Sequence, residues 1–482
     1  MALRYTSLVL VCICLSTFGQ TVLTPEDYND LKGHDQLPSG TILISGPSGT
    51  GLPVSSQATQ RGGGGCECWV EPDNNYSLAM TPNDDMSSSA IALPFTFELF
   101  GDQYDTLWIN NNGNLSFVNP YGSFSSLPFP AAEYKMVAPF WADVDTRGDD
   151  GNGLNGGQVV YRLTPTALYV NWIDVGYFAS QTDKHNSFQL IITDGTDPAV
   201  PGGNNVSYCY RDMQWTTGSA SMGQGGFGGV PATVGVNRGD GVDHSQIGRF
   251  GYDDETYGGP YADTSGISWL DSTHFYMNTA GGNMPPIFGS NLNCDTVIVQ
   301  IMAEGSHGPL DQKVWVLPGA PGQQVSCTVD APSLPGFNGW SAGPADHLQI
   351  LLDDYLTGAL AGIHIVTFMA TTGGIEPLTS QYTVQLELLQ DQTGLETITS
   401  NSVLHLLPNP AQDQVRLSWN DQNRPVLIEL IAVDGRSIRT VPVLARSRDM
   451  LLNISDLPPG SYRILARFSN GSAVQQLVKT DR

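Results

Sequence analysis

Positive charge is scarce in this chain. Among 482 residues there are 21 Lys plus Arg against 47 Asp plus Glu, a formal net charge of −26. Only five of the basic residues are lysines. Broad contact with nucleic-acid phosphates needs many Lys and Arg, so it is excluded, as is a lysine-rich patch on an anionic membrane. Charged residues of both signs make up 14% of the chain. No stretch after the N-terminus reaches the roughly 18 apolar residues of a membrane-spanning helix. The eight histidines are dispersed, with no pair at metal-binding spacing. No Gly-x-Ser-x-Gly elbow, His-Glu-x-x-His helix or phosphate-binding Gly-Lys-Ser/Thr loop occurs. Gly223-Gln224-Gly225-Gly226-Phe227-Gly228 satisfies a dinucleotide-binding string, but it runs on into Gly229-Val230-Pro231 with no helix to meet a pyrophosphate, and reads as a loop.

What is abundant is turn chemistry. Gly 54 and Pro 31, with 40% hydrophobic residues, describe cores of short strands joined by tight turns. Apolar residues alternate at Leu115/Phe117, Phe188/Leu190/Ile192 and Val234/Val236, and Asn112-Gly113, Asp150-Gly151 and Asp194-Gly195 punctuate the runs. A second β-rich stretch opens at Val297/Val299/Ile301 and closes at Tyr382/Val384/Leu386/Leu388. Between them, Leu348, Leu351, Leu352, Tyr355 and Leu356 fit either a short helix or a strand and loop. In the last stretch, Val415/Leu417/Trp419 and Tyr462/Ile464/Ala466/Phe468 point inward, and Arg416, Arg463 and Arg467 outward. Charge marks a boundary before it: residues 1–399 hold 11 basic and 40 acidic side chains, residues 400–482 hold 10 and 7.

The N-terminus carries the pattern of a secretory signal peptide over 1–20. Arg4 precedes the apolar run Leu8 to Leu15, and Ser16-Thr17-Phe18-Gly19 supplies small residues at the cleavage point. Residues 21–85 read as a flexible Gly/Ser/Pro-rich lead-in. Export permits disulfides, and five cysteines remain: Cys66, Cys68, Cys209, Cys294 and Cys327. An odd number leaves at least one thiol outside an intramolecular bridge. Cys294–Cys327 is the preferred pair, and the remaining pairing stays open.

Six segments over about 150 residues appear in the order of one family. They are Leu107-Trp108-Ile109-Asn110-Asn111-Asn112-Gly113-Asn114-Leu115-Ser116-Phe117, Val137-Ala138-Pro139-Phe140-Trp141-Ala142-Asp143-Val144-Asp145-Thr146-Arg147-Gly148, Gly157-Gln158-Val159-Val160-Tyr161-Arg162, Asn186-Ser187-Phe188-Gln189-Leu190, Met213-Gln214-Trp215-Thr216-Thr217-Gly218 and Val236-Asn237-Arg238-Gly239-Asp240-Gly241. They resemble the nidogen-type extracellular domain, which implies a matrix-associated β domain without catalysis over 86–283. Toward the C-terminus, Leu407-Pro408-Asn409-Pro410-Ala411, Val433-Asp434-Gly435-Arg436, Leu457-Pro458-Pro459-Gly460-Ser461-Tyr462 and Leu477-Val478-Lys479 resemble the sorting domain of the type IX secretion system of Bacteroidota, with Leu407 where an aromatic is usual. That resemblance implies export through the type IX machinery by way of 404–482. The expected architecture is all-β and multidomain: a nidogen-like domain followed by two small immunoglobulin-like sandwiches at 290–391 and 404–482.

One loop carries candidate chemistry. Asp143, Asp145, Asp149, Asp150 and Asn152 offer five oxygen donors on a Gly-rich stretch, the donor set that a hard cation such as Ca²⁺ takes. The EF-hand pattern is not met, because Arg147 and Leu154 fall on ligand positions. The other reading is an acidic turn. Arg147-Gly148-Asp149 and Arg238-Gly239-Asp240 spell an integrin-type tripeptide that local turns already explain. His364 reads as an outward-facing strand residue. Trp108, Trp141, Trp172 and Trp215 read as core, with sugar stacking as the alternative. The resulting expectation is a non-enzymatic secreted or surface protein that meets extracellular protein or glycan ligands in adhesion or matrix-type interaction. The alternative is a secreted carbohydrate-active hydrolase, which needs two carboxylates converging about 5–10 Å apart in a cleft, or a glycan-binding module.

Overall fold

The computed structural model describes residues 11–12, 25–34, 36, 42–43, 69–148, 156–291, 296–301, 313–334, 340–342, 348–351, 362–374, 376–390, 404–419, 425, 427–432, 436–443, 449–468 and 471–480. Two compact units divide the chain, residues 1–391 and 392–482. Both are built from strands, and the protein is a multidomain all-β chain.

Three large sheets make up most of the described part of the first unit. One has seven strands in the order Ser265–Gly266, His244–Tyr252, Ala232–Asn237, Met136–Trp141, Asn114–Ser116, Asp102–Asn110 and Ile91–Leu99. A longer sheet runs from Ser77–Leu78 through Gln158–Leu163, Ala167–Tyr177, Gln181–Thr193, Val206–Met213 and His274–Met277 to Ile287–Ser290, Lys313–Leu317, Leu348–Leu351 and Trp340–Ala342. The third sheet orders Thr296–Ile301, Thr379–Gln390, Gly362–Thr372 and Val325–Asp330.

The long sheet is the middle layer. Alternation sends Leu168, Val170 and Trp172 into the core shared with the seven-stranded sheet. Ala167, Tyr169 and Ile191 go into the core shared with the third sheet, where Val366, Phe368, Tyr382 and Val384 meet them. Phe188, Leu190 and Ile192 face the first core as their alternation predicts. Their neighbours are buried too, because a strand in a middle layer has no solvent face.

The stretch read from sequence as a separate sandwich at 290–391 divides between two layers. Lys313–Leu317, Leu348–Leu351 and Trp340–Ala342 extend the same sheet that crosses the preceding domain, through the pairing of His274–Met277 with Ile287–Ser290. Leu348–Leu351 is strand, the second of the two readings of its leucine spacing.

Two further expectations change. Cys327 is a free thiol, so it does not form the expected bridge with Cys294; burial pushes it up to about 11. Cys209 is disulfide-bonded. His364 is buried, not outward-facing, with Nδ1 at 3.0 Å from Ser333 Oγ, because it shares the inner face of its strand with Val366, Phe368 and Ala370, while Ile363, Ile365 and Met369 take the outer face.

At the N-terminus, Pro25–Gly33 forms a helix, α1, inside the stretch read as a flexible lead-in. Val11–Cys12 pairs antiparallel with Ile42–Leu43. The rest of the expected signal peptide lies outside the described residues.

In the second unit, His405–Leu407, Gln414–Ser418 and Asp449–Asn453 form one sheet. Ser437–Pro442, Leu427–Ala432, Gly460–Phe468 and Gly471–Lys479 form the other. Val415, Leu417, Trp419, Tyr462, Ile464 and Ala466 lie in its core, as their alternation predicts.

Candidate functional site: a buried carboxylate pocket that holds a lysine

The three asparagines Asn110, Asn111 and Asn112 end one strand of the seven-stranded sheet and turn at Gly113. That turn admits only glycine: Gly113 has φ +74°, and a Cβ there would lie 1.9 Å from the Phe140 carbonyl oxygen. The close approach places the Asn side chains beside the segment that follows Trp141. Asn112 Oδ1 accepts from the Val144 amide at 2.9 Å, and Asn111 Nδ2 donates to the Val144 carbonyl at 2.6 Å and to the Asp84 carbonyl. The loop before the Ile91–Leu99 strand is tied to the same place, with the Asn83 amide donating to Thr146 Oγ1 at 2.8 Å. Four carboxylates thereby converge: Asp84, Asp85, Asp143 and Asp145, all of them buried.

Asp84, Asp85 and Asp143 offer oxygens within 4.8 Å of one another, the spacing of a cation site. The cation among them is the ammonium of Lys32, from α1. Its Nζ lies 2.6 Å from Asp143 Oδ1, 2.7 Å from Asp85 Oδ2 and 2.9 Å from Asp84 Oδ1. The Phe124 and Phe178 rings close over it, each centroid 4.4 Å away. Lys32 is 0% exposed. One turn earlier on α1, Tyr28 donates its hydroxyl to Asp85 Oδ2 at 2.5 Å. Positions i and i+4 share a helix face, so both side chains enter one pocket.

Asp145 serves a different cation. Arg147 grips it with Nε at 2.8 Å and Nη2 at 2.6 Å, and also reaches Asn29 of α1 at 2.7 Å. The Ser180 amide donates to its Oδ2 at 2.8 Å.

Four carboxylates thus face two cations, and the deficit shows in proton affinity. Burial pushes Asp143 up to about 7, although Lys32 pulls the other way. Burial, with the neighbouring Asp85, raises Asp84 well above the carboxylate range. For Lys32, burial alone would favour the neutral amine, but Asp143, Asp84 and Asp85 reverse that and hold it above its ordinary value.

Of the five residues expected to hold Ca²⁺, the structure brings Asp143 and Asp145 into this cluster but gives them separate partners. Asp149, Asp150 and Asn152 lie outside the described residues. Asp84, Asp85, Tyr28 and Lys32 were missed by sequence reasoning. The signal available was a doublet of acids after Asn83 and one of only five lysines in the chain. Trp141, Trp172 and Trp215 are fully buried, the core reading, and Trp108 is half-buried.

Residues 69–251 match the family described as NIDO related, and residues 405–480 match the secretion system C-terminal sorting domain. The chain carries a nidogen-related domain and a secretion sorting domain. Alpha-tectorin from Gallus gallus is 33% identical over 187 residues, a third of this chain and 8% of that protein, and alpha-tectorin from Homo sapiens matches to the same extent. Nidogen from Drosophila melanogaster is 26% identical over 168 residues, 30% of this chain and 12% of that protein. The chain thus spans about a tenth of the length of these relatives. The carboxylate cluster belongs to the nidogen-related domain, and α1, which fills it, precedes the matched residues. Both Arg-Gly-Asp arginines of that domain are engaged internally, Arg147 with Asp145 and Arg238 with Asp243 at 2.7 Å and Asp102 at 3.2 Å. The sorting domain makes this a secreted protein, extracellular or held on the outer surface of the outer membrane. Among the described residues no helix is long and apolar enough to cross a membrane.

Proposed function

We propose that this is a non-enzymatic adhesion or matrix-interaction protein, exported through its C-terminal sorting domain and meeting extracellular protein or glycan ligands through the nidogen-related domain. The observation that carries the reading is the pairing of those two domains in one chain. The one dense cluster of chemically capable groups described above supports it. Four carboxylates converge as a hydrolase requires, but they are buried and closed over a lysine of the same chain, where a sugar has no access.

The test is made in the producing cell. Deleting 405–480 should keep the chain from the cell surface and medium. Deleting 25–390, the whole first unit that follows the expected signal peptide, from a chain that still reaches the surface should lower cell attachment to protein-coated and glycan-coated plates. Unchanged attachment on every coating would overturn the adhesive reading.

A further inference from the structure

We propose that Lys32 and Asp143 condense into an isopeptide bond, which makes α1 a covalently locked part of the nidogen-related domain. Four features of the pocket support this reaction, and none depends on the adhesive reading.

The first is approach. A hydrogen bond of 2.6 Å from Nζ to Asp143 Oδ1 brings the amine nitrogen near the carboxyl carbon, close to the ~3–3.5 Å of a near-attack geometry. The second is the state of the acceptor. Asp143 Oδ2 is buried and has no hydrogen-bond partner, and it packs on Gly218, where a Cβ would come within 2.6 Å. Among the described residues the Lys32 pairing at Oδ1 is the contact that favours this carboxylate as an anion, and burial favours its protonated form.

The third is a positioned proton carrier. Asp85 touches Nζ at 2.7 Å, and its own orientation is fixed by Asn112 Nδ2 at 2.7 Å and by the Tyr28 hydroxyl. The fourth is dryness. Lys32 and Asp143 are both buried, and Phe124 and Phe178 wall the ammonium, so the water released leaves for bulk solvent and hydrolysis is suppressed.

The reaction balances without any oxidant or cofactor. The Lys32 ammonium gives one proton, by way of Asp85, to the Asp143 carboxylate, and the resulting amine attacks the carboxyl carbon of the neutral acid so formed. The C–N bond forms as one C–O bond breaks. Two of the three ammonium protons leave with that oxygen as water, the second reaching it directly and the first by way of Asp85. One positive and one negative charge vanish together, so the charge balance of the pocket is unchanged. Because the carboxylates hold Lys32 charged, the opening proton transfer makes this a slow, single-turnover maturation step.

The experiment uses the full chain, denatured after purification and treated with formaldehyde and cyanoborohydride to dimethylate every free amine, then digested and sequenced by mass spectrometry. The expected result is a branched peptide joining Lys32 to Asp143, about 18 Da lighter than its two parts and unmethylated at Lys32. Lys32→Arg and Asp143→Ala should each abolish it. Asp85→Asn, which keeps an oxygen acceptor for Asn112 Nδ2, should slow its appearance at least tenfold, followed in samples denatured at successive times after synthesis is induced. Complete methylation of Lys32 in the denatured wild type would overturn the proposal and leave an ion pair. Bond formation in Asp85→Asn at the wild-type rate would overturn the role given to Asp85.

Discussion

Lys32 and Asp143 stand 111 residues apart in the chain and meet at 2.6 Å, each sealed from solvent. Helix α1 has nine residues, too few to be stable alone in water. Its order therefore comes from the pocket it enters, and the pocket in turn is filled by the Lys32 side chain that α1 brings.

Removing that side chain should be costly. Lys32→Ala leaves Asp143 a buried carboxylate with neither the Lys32 cation nor a bond to it, and breaking a buried pair of this kind costs on the order of 3–5 kcal/mol. Urea unfolding of the full chain, followed by tryptophan fluorescence, should show the first unit's transition shifted to lower denaturant. Retention of the wild-type midpoint would mean that α1 contributes nothing to the domain.

Asp271 predicts the direction of the pH dependence. Burial raises it from its ordinary 3.8 to about 7, with Asp212, Glu255 and Asp253 adding to the shift. Between those two values the folded state holds a proton that the unfolded state has released, so stability falls as pH rises from about 4 through 7. The melting temperature of the first unit should be higher at pH 5 than at pH 8. Asp271→Asn keeps an acceptor for the Met213 amide and should raise stability at pH 8 while flattening the profile.

Gly113→Ala tests the turn that sets the Asn side chains. The new Cβ would overlap the Phe140 carbonyl oxygen in a backbone conformation that already disfavours a side chain. Strain and a lost contact together should cost several kcal/mol, about 3 or more. The expected readout is a chain that is largely insoluble or melts far below the wild type, whereas Gly203→Ala, with open space at its Cβ, should melt much closer to it.

Cys327 should react slowly. Its thiol is held near 11 by burial, so little thiolate exists at neutral pH. A maleimide should label it only over hours in the native protein and within minutes in urea without reductant. Failure to label after unfolding would place it in a disulfide.

Strand positions were legible where one physical rule decides them. Val234 and Val236, or Val415 and Leu417, alternate because one face of each strand meets a core, and both pairs are buried as read. The Asn112-Gly113 turn was legible because few sequences tolerate that backbone. The layer to which a strand belongs was not. In Lys313–Leu317 the unbroken apolar run Val314-Trp315-Val316-Leu317 reads as a buried strand whether it starts a new sandwich or extends an old sheet, and hydrogen-bond partners across long sequence gaps leave no local mark. The candidate site failed for a related reason. Asp143 and Asp145 could be read as paired oxygen donors, but the cation that meets Asp143 comes from a helix that precedes the domain and carries almost no apolar pattern.

The continuous middle sheet also limits how the gene can be cut. A fragment ending at residue 283 looks reasonable by family boundaries, yet it would strip Ile287–Ser290 from His274–Met277 and uncover Tyr276 and Tyr169. The result is a bare strand edge beside an aromatic face, which invites aggregation. Truncations for expression should therefore keep 69–390 whole, together with α1.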